Sequence, residues 1–317
     1  MADYAHKWTD RQLIILERRI RKEYKKAAKE LRKRMKEFFE DYGRRLANMQ
    51  EALKAGTITA EQYKQWLHRE AVLTQRYRAM IHECSEIALK ANLNSSQHTA
   101  TMLAGVYAEN ANYAAYTIEK AAGVNVSFAL QDANTVVNLV ERSPLLFATP
   151  KPDSAKVLAW MNKKLTSAVT QGILTGESIP KIAKRMERVY GADRAAAVRA
   201  ARTAITGAEN AGRLSSYEFA ESIGIKLKKE WVATLDERTR DTHRELDGQR
   251  VDVDEDYVTY NGDRLRFPAD PMAPAEEVYN CRCATVAIVE DLPSRDWRSD
   301  QMIGDLTYSE WKAGKRG

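Results

Sequence analysis

Apolar residues return every eleven positions between Leu13 and Leu53, and this repeat constrains the fold more than any other feature of the sequence. Within each repeat they are three or four residues apart, so they follow one side of an α-helix. An eleven-residue period, about 3.67 residues per turn, keeps the stripe on one side of a straight or slightly right-handed helix. We therefore predict one amphipathic helix about 60 Å long at 1.5 Å per residue. Its three apolar columns are Leu13, Tyr24, Met35, Leu46; Leu16, Ala27, Phe38, Met49; and Ile20, Leu31, Tyr42, Leu53.

The residues that follow predict a second helix running back along the first. Gly56 is expected to end the first helix, and Thr59 and Gln62 have the spacing of a capping box that starts the next one. The new helix has an apolar face suited to packing on the first, so the pair forms a helical hairpin. That face consists of Trp66, Leu73, Tyr77, Met80, Cys84 and Ile87. We expect the helix to end at Asn94-Ser95-Ser96, and a third helix to occupy 102–122.

The remaining sequence predicts shorter helices and then a change to strands. Gly176 before Ser178, and Gly191 before Asp193, each pair a helix stop with a capping residue. The helices expected from these signals lie at 131–142, 154–175, 179–190 and 194–222. Asn261-Gly262 predicts a β-hairpin. Further strands are expected at 229–233 and 283–289, with a short helix at 236–246 between them.

The predicted fold class is mainly α, with a long N-terminal amphipathic hairpin, a helical middle and a small C-terminal α+β module. Three prolines mark residues 143–153 as a linker. The predicted segments are a helical N-terminal region with a basic hairpin (1–142), the linker (143–153), a helical block (154–225), the α+β module (226–290) and a tail (291–317).

Composition and charge narrow the classes of function. No apolar run approaches the roughly 20 residues that cross a bilayer, so we expect no membrane anchor. Three cysteines form no disulfide framework, which favours a reducing cytosol. Residues 11–45 contain 14 Lys/Arg and six Asp/Glu, a local net charge of +8. This basic stretch either contacts DNA phosphates without sequence preference or is a solvated helix face. The candidate nucleic-acid residues are Arg21, Lys22, Lys25, Lys26, Lys29, Arg32 and Lys33.

The most specific motif lies in the C-terminal module. It consists of a Trp, an Asp-x-Arg-Thr-Arg-x-x-His run, a Leu-Asp-Gly turn and a closing Asn-Cys-Arg-Cys. This order resembles the tailed-phage head morphogenesis family, the Mu F-like minor head proteins, over about 229–290. The helix holding Arg202, Thr203 and Asn210 also resembles that family. The motif residues are Trp231, Asp236, Arg238, Thr239, Arg240, His243, Asp247, Gly248, Asn280, Cys281 and Cys283.

The resemblance implies a minor structural protein rather than an enzyme. Such a protein is made in the host cytoplasm and carried in several copies inside the procapsid, near the portal. Its expected partners are the portal protein and other head proteins, and its expected role is head assembly with genome packaging or delivery. The alternative is a non-specific double-stranded DNA binder ejected with the genome. Some relatives carry a toxin domain after the head module. Only about 27 residues follow the last predicted strand, so none is expected here.

The motif also contains a candidate metal site. If 236–246 is helical, Asp236, Arg240 and His243 share one face. Cys281 and Cys283 alternate with Arg282 and point the same way. Two thiolates and an imidazole suit Zn²⁺, with an Asp or water as fourth ligand. The alternative is that both cysteines are core residues and the histidine bonds a carboxylate or carbonyl, with no cofactor.

Two further hypotheses concern the same residues. Arg238, Arg240 and Arg282 could form a buried ion-pair network with Asp236, Asp241 and Asp247, or bind a substrate anion. A zinc-dependent nuclease or hydrolase would need a second histidine, and the module has one. A cysteine nucleophile would need a base and a group that orients it. These requirements make catalysis the weaker hypothesis.

Overall fold

A computed structural model of the chain describes residues 3–71, 75–126, 128–291 and 303–315. These residues are mainly helical and include a small C-terminal sheet region, which confirms the predicted fold class. The helices are α1 (Tyr4–Lys54), α2 (Ala60–Ala71), α3 (Gln75–Ala122), α4 (Ala133–Arg142), α5 (Ser154–Leu174), α6 (Ile179–Ser222), α7 (Asp241–Leu246), α8 (Ala275–Val278) and α9 (Tyr308–Gly314). The strands are β1 (Lys226–Val232), β2 (Arg250–Asp252), β3 (Tyr257–Val258), β4 (Arg264–Leu265) and β5 (Ala284–Asp291).

The chain divides into two compact units that each combine distant segments. The module-bearing unit contains Met1–Glu17, His98–Pro150 and Arg199–Gly317. The basic unit contains Arg18–Gln97 and Lys151–Val198. Three long helices contribute to both units, so the units do not follow the linear segment boundaries predicted from sequence. Those boundaries remain a prediction.

In the basic unit, the apolar stripe of α1 is buried as the eleven-residue repeat predicts. Buried members include Ile20, Leu31 and Met35. The hairpin is confirmed by aromatic contacts: Tyr42 stacks on Trp66 with ring centroids 6.1 Å apart, and Phe38 meets the Tyr77 ring edge to face at 5.1 Å. The predicted apolar position Leu73 lies outside the described residues.

The capping box at the start of α2 is present with both of its hydrogen bonds. The Thr59 hydroxyl accepts the Gln62 N–H at 3.1 Å, and the Gln62 side chain accepts the Thr59 N–H at 2.8 Å. The preceding stop is also present, because Gly56 has φ = 71°.

The break predicted at Asn94-Ser95-Ser96 is wrong, since α3 continues through it. The buried Ser95 hydroxyl donates to the carbonyl of Ala91 at 2.7 Å, one turn earlier, so it does not compete with the helix. The Asn94 amide donates to Glu23 at 2.9 Å.

The stop predicted at Gly191 and Asp193 is also wrong, since α6 is continuous. Asp193 caps nothing there, because its carboxylate accepts hydrogen bonds from Tyr24 (2.5 Å) and Asn92 (3.0 Å).

The α+β module lies in the module-bearing unit and contains two small antiparallel sheets. Strand β1 lies between β2 and β5, and β3 pairs with β4 across the predicted Asn261-Gly262 hairpin. Gly262 has φ = 88°, as such a turn requires. The helix predicted at 236–246 is shorter than expected. Only α7 is helical, because the Asp236 carboxylate accepts the Arg238 N–H and forms a turn instead.

Two segments predicted to be peripheral are anchored on the module-bearing unit. Phe147 of the predicted linker is buried, with its ring centroid 5.5 Å from that of Tyr107. In the tail, α9 begins with a capping box at Thr307, and its Trp311 is buried and donates to Glu119 at 2.5 Å. Among the described helices, none combines the length and apolar character needed to cross a bilayer.

Candidate metal centre

His243, Cys281 and Cys283 converge in the interior of the α+β module. The imidazole comes from α7, and both thiols come from the turn that leads into β5. Nδ1 of His243 lies 3.6 Å from Sγ of Cys281 and 3.5 Å from Sγ of Cys283. All three residues are at most 3% exposed. The convergence predicted from sequence is therefore found, and these three residues could hold a metal ion.

The sharp turn at Asn280 explains how one short segment presents two thiols to one imidazole. Asn280 has φ = 56°, a left-handed conformation that asparagine tolerates better than most residues. The Cys283 N–H then points to the Cys281 sulfur at 3.5 Å. Between the two cysteines, Arg282 is directed to Asp236 with two contacts of 2.6 Å.

The other nitrogen of the imidazole faces a buried carboxylate that sequence reasoning missed. Nε2 of His243 is 3.0 Å from Oε2 of Glu277, although its N–H is not aligned well enough for a hydrogen bond. The Thr242 hydroxyl donates to the same oxygen at 2.9 Å. Glu277 follows a Pro-rich loop and belongs to no spacing motif, so no local signal marked it.

The two thiols have pKa values shifted in opposite directions. The hydrogen bond from Cys281 lowers the pKa of Cys283, and the adjacent imidazole and the Thr234 backbone N–H lower it further against the effect of burial. The pKa of Cys281 is raised because it supplies that hydrogen bond and is itself buried. Cys283 is therefore the thiol that ionises more readily.

Two chemical roles are compatible with this arrangement. As a ligand set, one imidazole nitrogen and two sulfurs suit Zn²⁺. As a nucleophilic set, Cys283, His243 and Glu277 offer a thiol, a base and a carboxylate beside that base. The burial of both thiols favours the ligand role, because a nucleophile must be accessible to its substrate.

The remaining motif residues hold the module together. Trp231 is fully buried, and its ring meets His243 and Tyr257 edge to face with centroids 5.1 Å from each. The Asp247 carboxylate accepts the Ala233 N–H at 2.8 Å, so Asp247 lies outside the metal cluster. Gly248 has φ = 79° and donates its N–H to the carbonyl of Trp231 at 2.8 Å.

The predicted arginine network is only partly present, and it is not buried. Asp236 pairs with Arg282 and more loosely with Arg238 at 3.3 Å, and all three side chains are at least 30% exposed. The Arg282 guanidinium holds the pKa of Asp236 well below its usual range. Arg240 instead donates to the carbonyl of Tyr279. It occupies the N-cap position of α7 and does not share a helical face with Asp236. The Thr239 hydroxyl accepts the Asp236 N–H at 2.9 Å and closes the turn.

Side chains of helix α6 hydrogen-bond to the backbone of the segment that carries the two thiols. Thr206 donates to the carbonyl of Cys281 at 3.0 Å, and Asn210 donates to the carbonyl of Cys283 at 3.1 Å. Thr203 accepts the Asn280 N–H at 3.2 Å. Two of these helix residues, Thr203 and Asn210, already belonged to the family-like stretch of the sequence, and the structure gives the physical reason for their presence.

The candidate nucleic-acid residues lie on α1 within the basic unit, and all seven are exposed. Two of them are paired: Arg32 makes a two-pronged ion pair with Glu187 at 2.5 and 2.8 Å, and Lys26 contacts Glu23 at 3.1 Å. The other five have no ion pair within the described part of the chain. They are Arg21, Lys22, Lys25, Lys29 and Lys33.

The comparisons with known proteins agree with the motif. The family model described as Phage Mu protein F like protein matches residues 163–286, from within α5 to the start of β5. This match supports the Mu F-like head morphogenesis family that the motif resembles.

Individual relatives extend the match beyond the module. The chain is 28% identical to minor head protein GP7 of Bacillus phage SPP1 over 98% of this chain and 96% of that protein. It is 29% identical to a protein of Enterococcus faecalis named NAD(+)--arginine ADP-ribosyltransferase EFV over 88% of this chain, and it spans 57% of that protein's length. It is 31% identical to the uncharacterized protein YqbB of Bacillus subtilis over 44% of this chain and 47% of that protein. No solved structure gives a significant match.

Proposed function

We propose that this chain is a minor structural protein of a tailed-phage head, bound near the portal inside the procapsid, where it aids head assembly and genome packaging or delivery. Resemblance to the head morphogenesis family supports the head role. The observation that carries the proposal is the similarity to the SPP1 minor head protein, which extends over nearly the whole of both chains. Several copies per portal, assembled in the host cytoplasm, follow from the same proposal.

The geometry supports a structural role over an enzymatic one. The motif residues of the module make turns, backbone contacts and ion pairs, and the imidazole and thiols among them are buried. The name of the Enterococcus relative describes an activity of that protein, of which this chain matches 57% of the length. We therefore propose no enzymatic activity for this chain, and purified protein should show no transfer of ADP-ribose from NAD to arginine.

The proposal is tested by measuring whether the chain is a protein component of the phage particle. Mass spectrometry of purified virions and procapsids should detect the chain in a fixed ratio to the portal protein. Portal protein purified in the absence of the capsid shell should co-purify with the chain. A phage with this reading frame deleted should give heads that package or deliver DNA poorly. Absence of the chain from both virions and procapsids would overturn the proposal.

The proposed occupant of the metal cluster is Zn²⁺ in a structural role. Two thiolates and an imidazole are ligands that zinc prefers, and a bound ion would compensate for the small core of the module. Elemental analysis of full-length protein purified without chelator should give about one zinc per chain. Zinc accompanied by nuclease or hydrolase activity that mutation of the cluster abolishes would favour the metal-dependent enzyme instead.

A second candidate function, non-specific DNA binding, is favoured by a row of exposed lysines on α1 that make no ion pair with the residues the structure describes. Lys22, Lys25, Lys29 and Lys33 are three or four residues apart, so they lie on one helix face. Each phosphate contact contributes about −0.9 to the slope of log affinity against log salt. Replacing these four lysines by glutamate should therefore flatten the slope by about 3 to 4.

A matched variant controls for net charge. Lys163, Lys164, Lys181 and Lys184 are also exposed and also belong to the basic unit. Their replacement by glutamate lowers the net charge equally and should leave most of the slope intact. Equal slopes in the two variants would mean that the α1 row does not form the DNA contact.

A further inference from the structure

The imidazole of His243 lies between the two thiols on one side and a carboxylate on the other. Nδ1 faces both sulfurs at 3.5 and 3.6 Å, and Nε2 faces Glu277 at 3.0 Å. An imidazole can bind a metal through Nδ1 only when its proton is on Nε2. Histidine ligands of metals almost always direct that second nitrogen to a carboxylate, carbonyl or water. The position of Glu277 therefore matches that of an outer partner of a ligating histidine.

We infer that Glu277 is a positioning residue of a zinc site, which holds His243 so that Nδ1, with Cys281 and Cys283, binds the ion. This inference rests on the proposed presence of Zn²⁺ in the cluster. It adds a residue that neither the sequence motif nor the spacing of the cysteines identifies.

The distances within the cluster fit one ion. Zinc lies about 2.3 Å from sulfur and about 2.0 to 2.1 Å from nitrogen in tetrahedral sites, which separates such ligands by about 3.6 Å. The two measured nitrogen–sulfur distances are 3.6 and 3.5 Å. Nδ1 can share one proton with only one sulfur at a time. An ion can bind both sulfurs at once, so two nearly equal distances favour a metal over a simple hydrogen bond.

Glu277 is itself held in place. The Thr242 hydroxyl donates to Oε2, the oxygen that faces the imidazole, at 2.9 Å. The side chains of His243 and Glu277 are only 2% and 4% exposed, so water does not compete for the carboxylate. On the other flank, the ring of Trp231 meets the imidazole edge to face and restricts its rotation. The carboxylate therefore lies beside Nε2 before any ion arrives.

The thiol side is equally preorganised. Thr206 and Asn210 of α6 fix the carbonyls of Cys281 and Cys283, and the Cys283 N–H points to the sulfur of Cys281. Among the described residues, the cluster contains three ligand groups and no fourth His, Cys, Asp or Glu. A tetrahedral ion would then take a solvent molecule as its fourth ligand. Bound in this way, zinc would join α7 to a segment 38 to 40 residues further along the chain.

The experiment measures Zn²⁺ affinity of the full chain by competition with a chromogenic chelator. Substitutions His243→Ala, Cys281→Ala and Cys283→Ala should abolish stoichiometric binding. Glu277→Gln and Glu277→Leu should keep one zinc per chain but bind it about 10 to 100 times more weakly. Glu276→Gln, an exposed neighbour in α8, and Cys84→Ala, a buried cysteine of the other unit, should bind as the wild type does.

Co²⁺ replacement separates positioning from mere structural support. The Glu277 variants should still show thiolate-to-cobalt absorption once saturated, and their far-ultraviolet circular dichroism should equal that of the wild type. Wild-type zinc affinity in both Glu277 variants would overturn the inference while leaving the zinc site intact. Failure of the wild type to bind zinc would overturn the zinc proposal and this inference together, without affecting the proposed role in the phage head.

Discussion

The substitution Arg213→Met should destabilise the module-bearing unit far more than an ordinary surface change. The guanidinium is 2% exposed and makes two contacts with Asp3, at 2.6 and 2.8 Å. It also contacts the buried carboxylate of Glu209 at 3.2 Å and donates to the carbonyl of Thr285 at 3.1 Å. Methionine fills a similar volume but leaves Glu209 with His6 as its remaining charged partner.

The size of the destabilisation follows from the buried charge of Glu209, which loses its Arg213 partner. Removing one partner of a buried ion pair costs about 3 to 5 kcal/mol, because the other charge stays buried and loses that partner. For a unit of 150 to 250 residues, about 2 to 4 °C of melting temperature is lost per kcal/mol. The melting temperature of the module-bearing unit should therefore fall by about 6 to 20 °C. The double variant Arg213→Met/Glu209→Gln should recover part of this loss, because the buried charge is then gone.

The same helix provides the control. Arg202 of α6 pairs with Glu17 at 2.6 Å, but the two side chains are 37% and 23% exposed. Exposed ion pairs contribute at most about 1 kcal/mol, so Arg202→Met should lower the melting temperature by only a few degrees. Differential scanning calorimetry of the three variants measures the difference. A loss in Arg213→Met no larger than in Arg202→Met would refute the reasoning about buried charge.

Three more outcomes follow from other contacts. Gly212→Ala should lower the free energy of unfolding by about 1 to 3 kcal/mol, because the added methyl group meets the backbone carbonyl of Tyr107. Gly105→Ala adds a methyl group that meets nothing, so it should leave the free energy of unfolding unchanged or raise it. Chemical denaturation measures both changes. Burial lowers the pKa of His6, but the carboxylate of Glu209 has the larger effect, so the pKa is raised above 6.5. The His6–Glu209 pair therefore stabilises the fold fully below about pH 6.5, and it stabilises the fold less as the pH rises through the raised pKa. The stability advantage of the wild type over His6→Gln should shrink accordingly in urea titrations from pH 5 to 9, and an advantage that grows with pH would contradict this sign. Chelation of zinc should lower the melting temperature of the wild type but not that of the triple variant lacking the three cluster ligands, and equal shifts would mean that the chelator acts elsewhere.

The sequence alone determined the features that depend on neighbours along the chain. The eleven-residue repeat predicted the buried face of α1, and Thr59 with Gln62 predicted the capping box that starts α2. Asn261-Gly262 predicted the hairpin. Helix periodicity, caps and tight turns are set within a few residues, so a linear pattern is enough to identify them.

The tertiary structure decided the features that depend on a distant partner. Ser95 lies within a helix rather than ending one, because its hydroxyl bonds back to the preceding turn inside a buried environment. Asp193 was predicted to cap a helix, but its carboxylate instead accepts hydrogen bonds from Tyr24 and Asn92. Glu277 reaches His243 from 34 residues away in the chain, and no spacing rule covers that distance. A polar side chain takes the best partner available after folding, and the identity of that partner depends on which segments the core brings together.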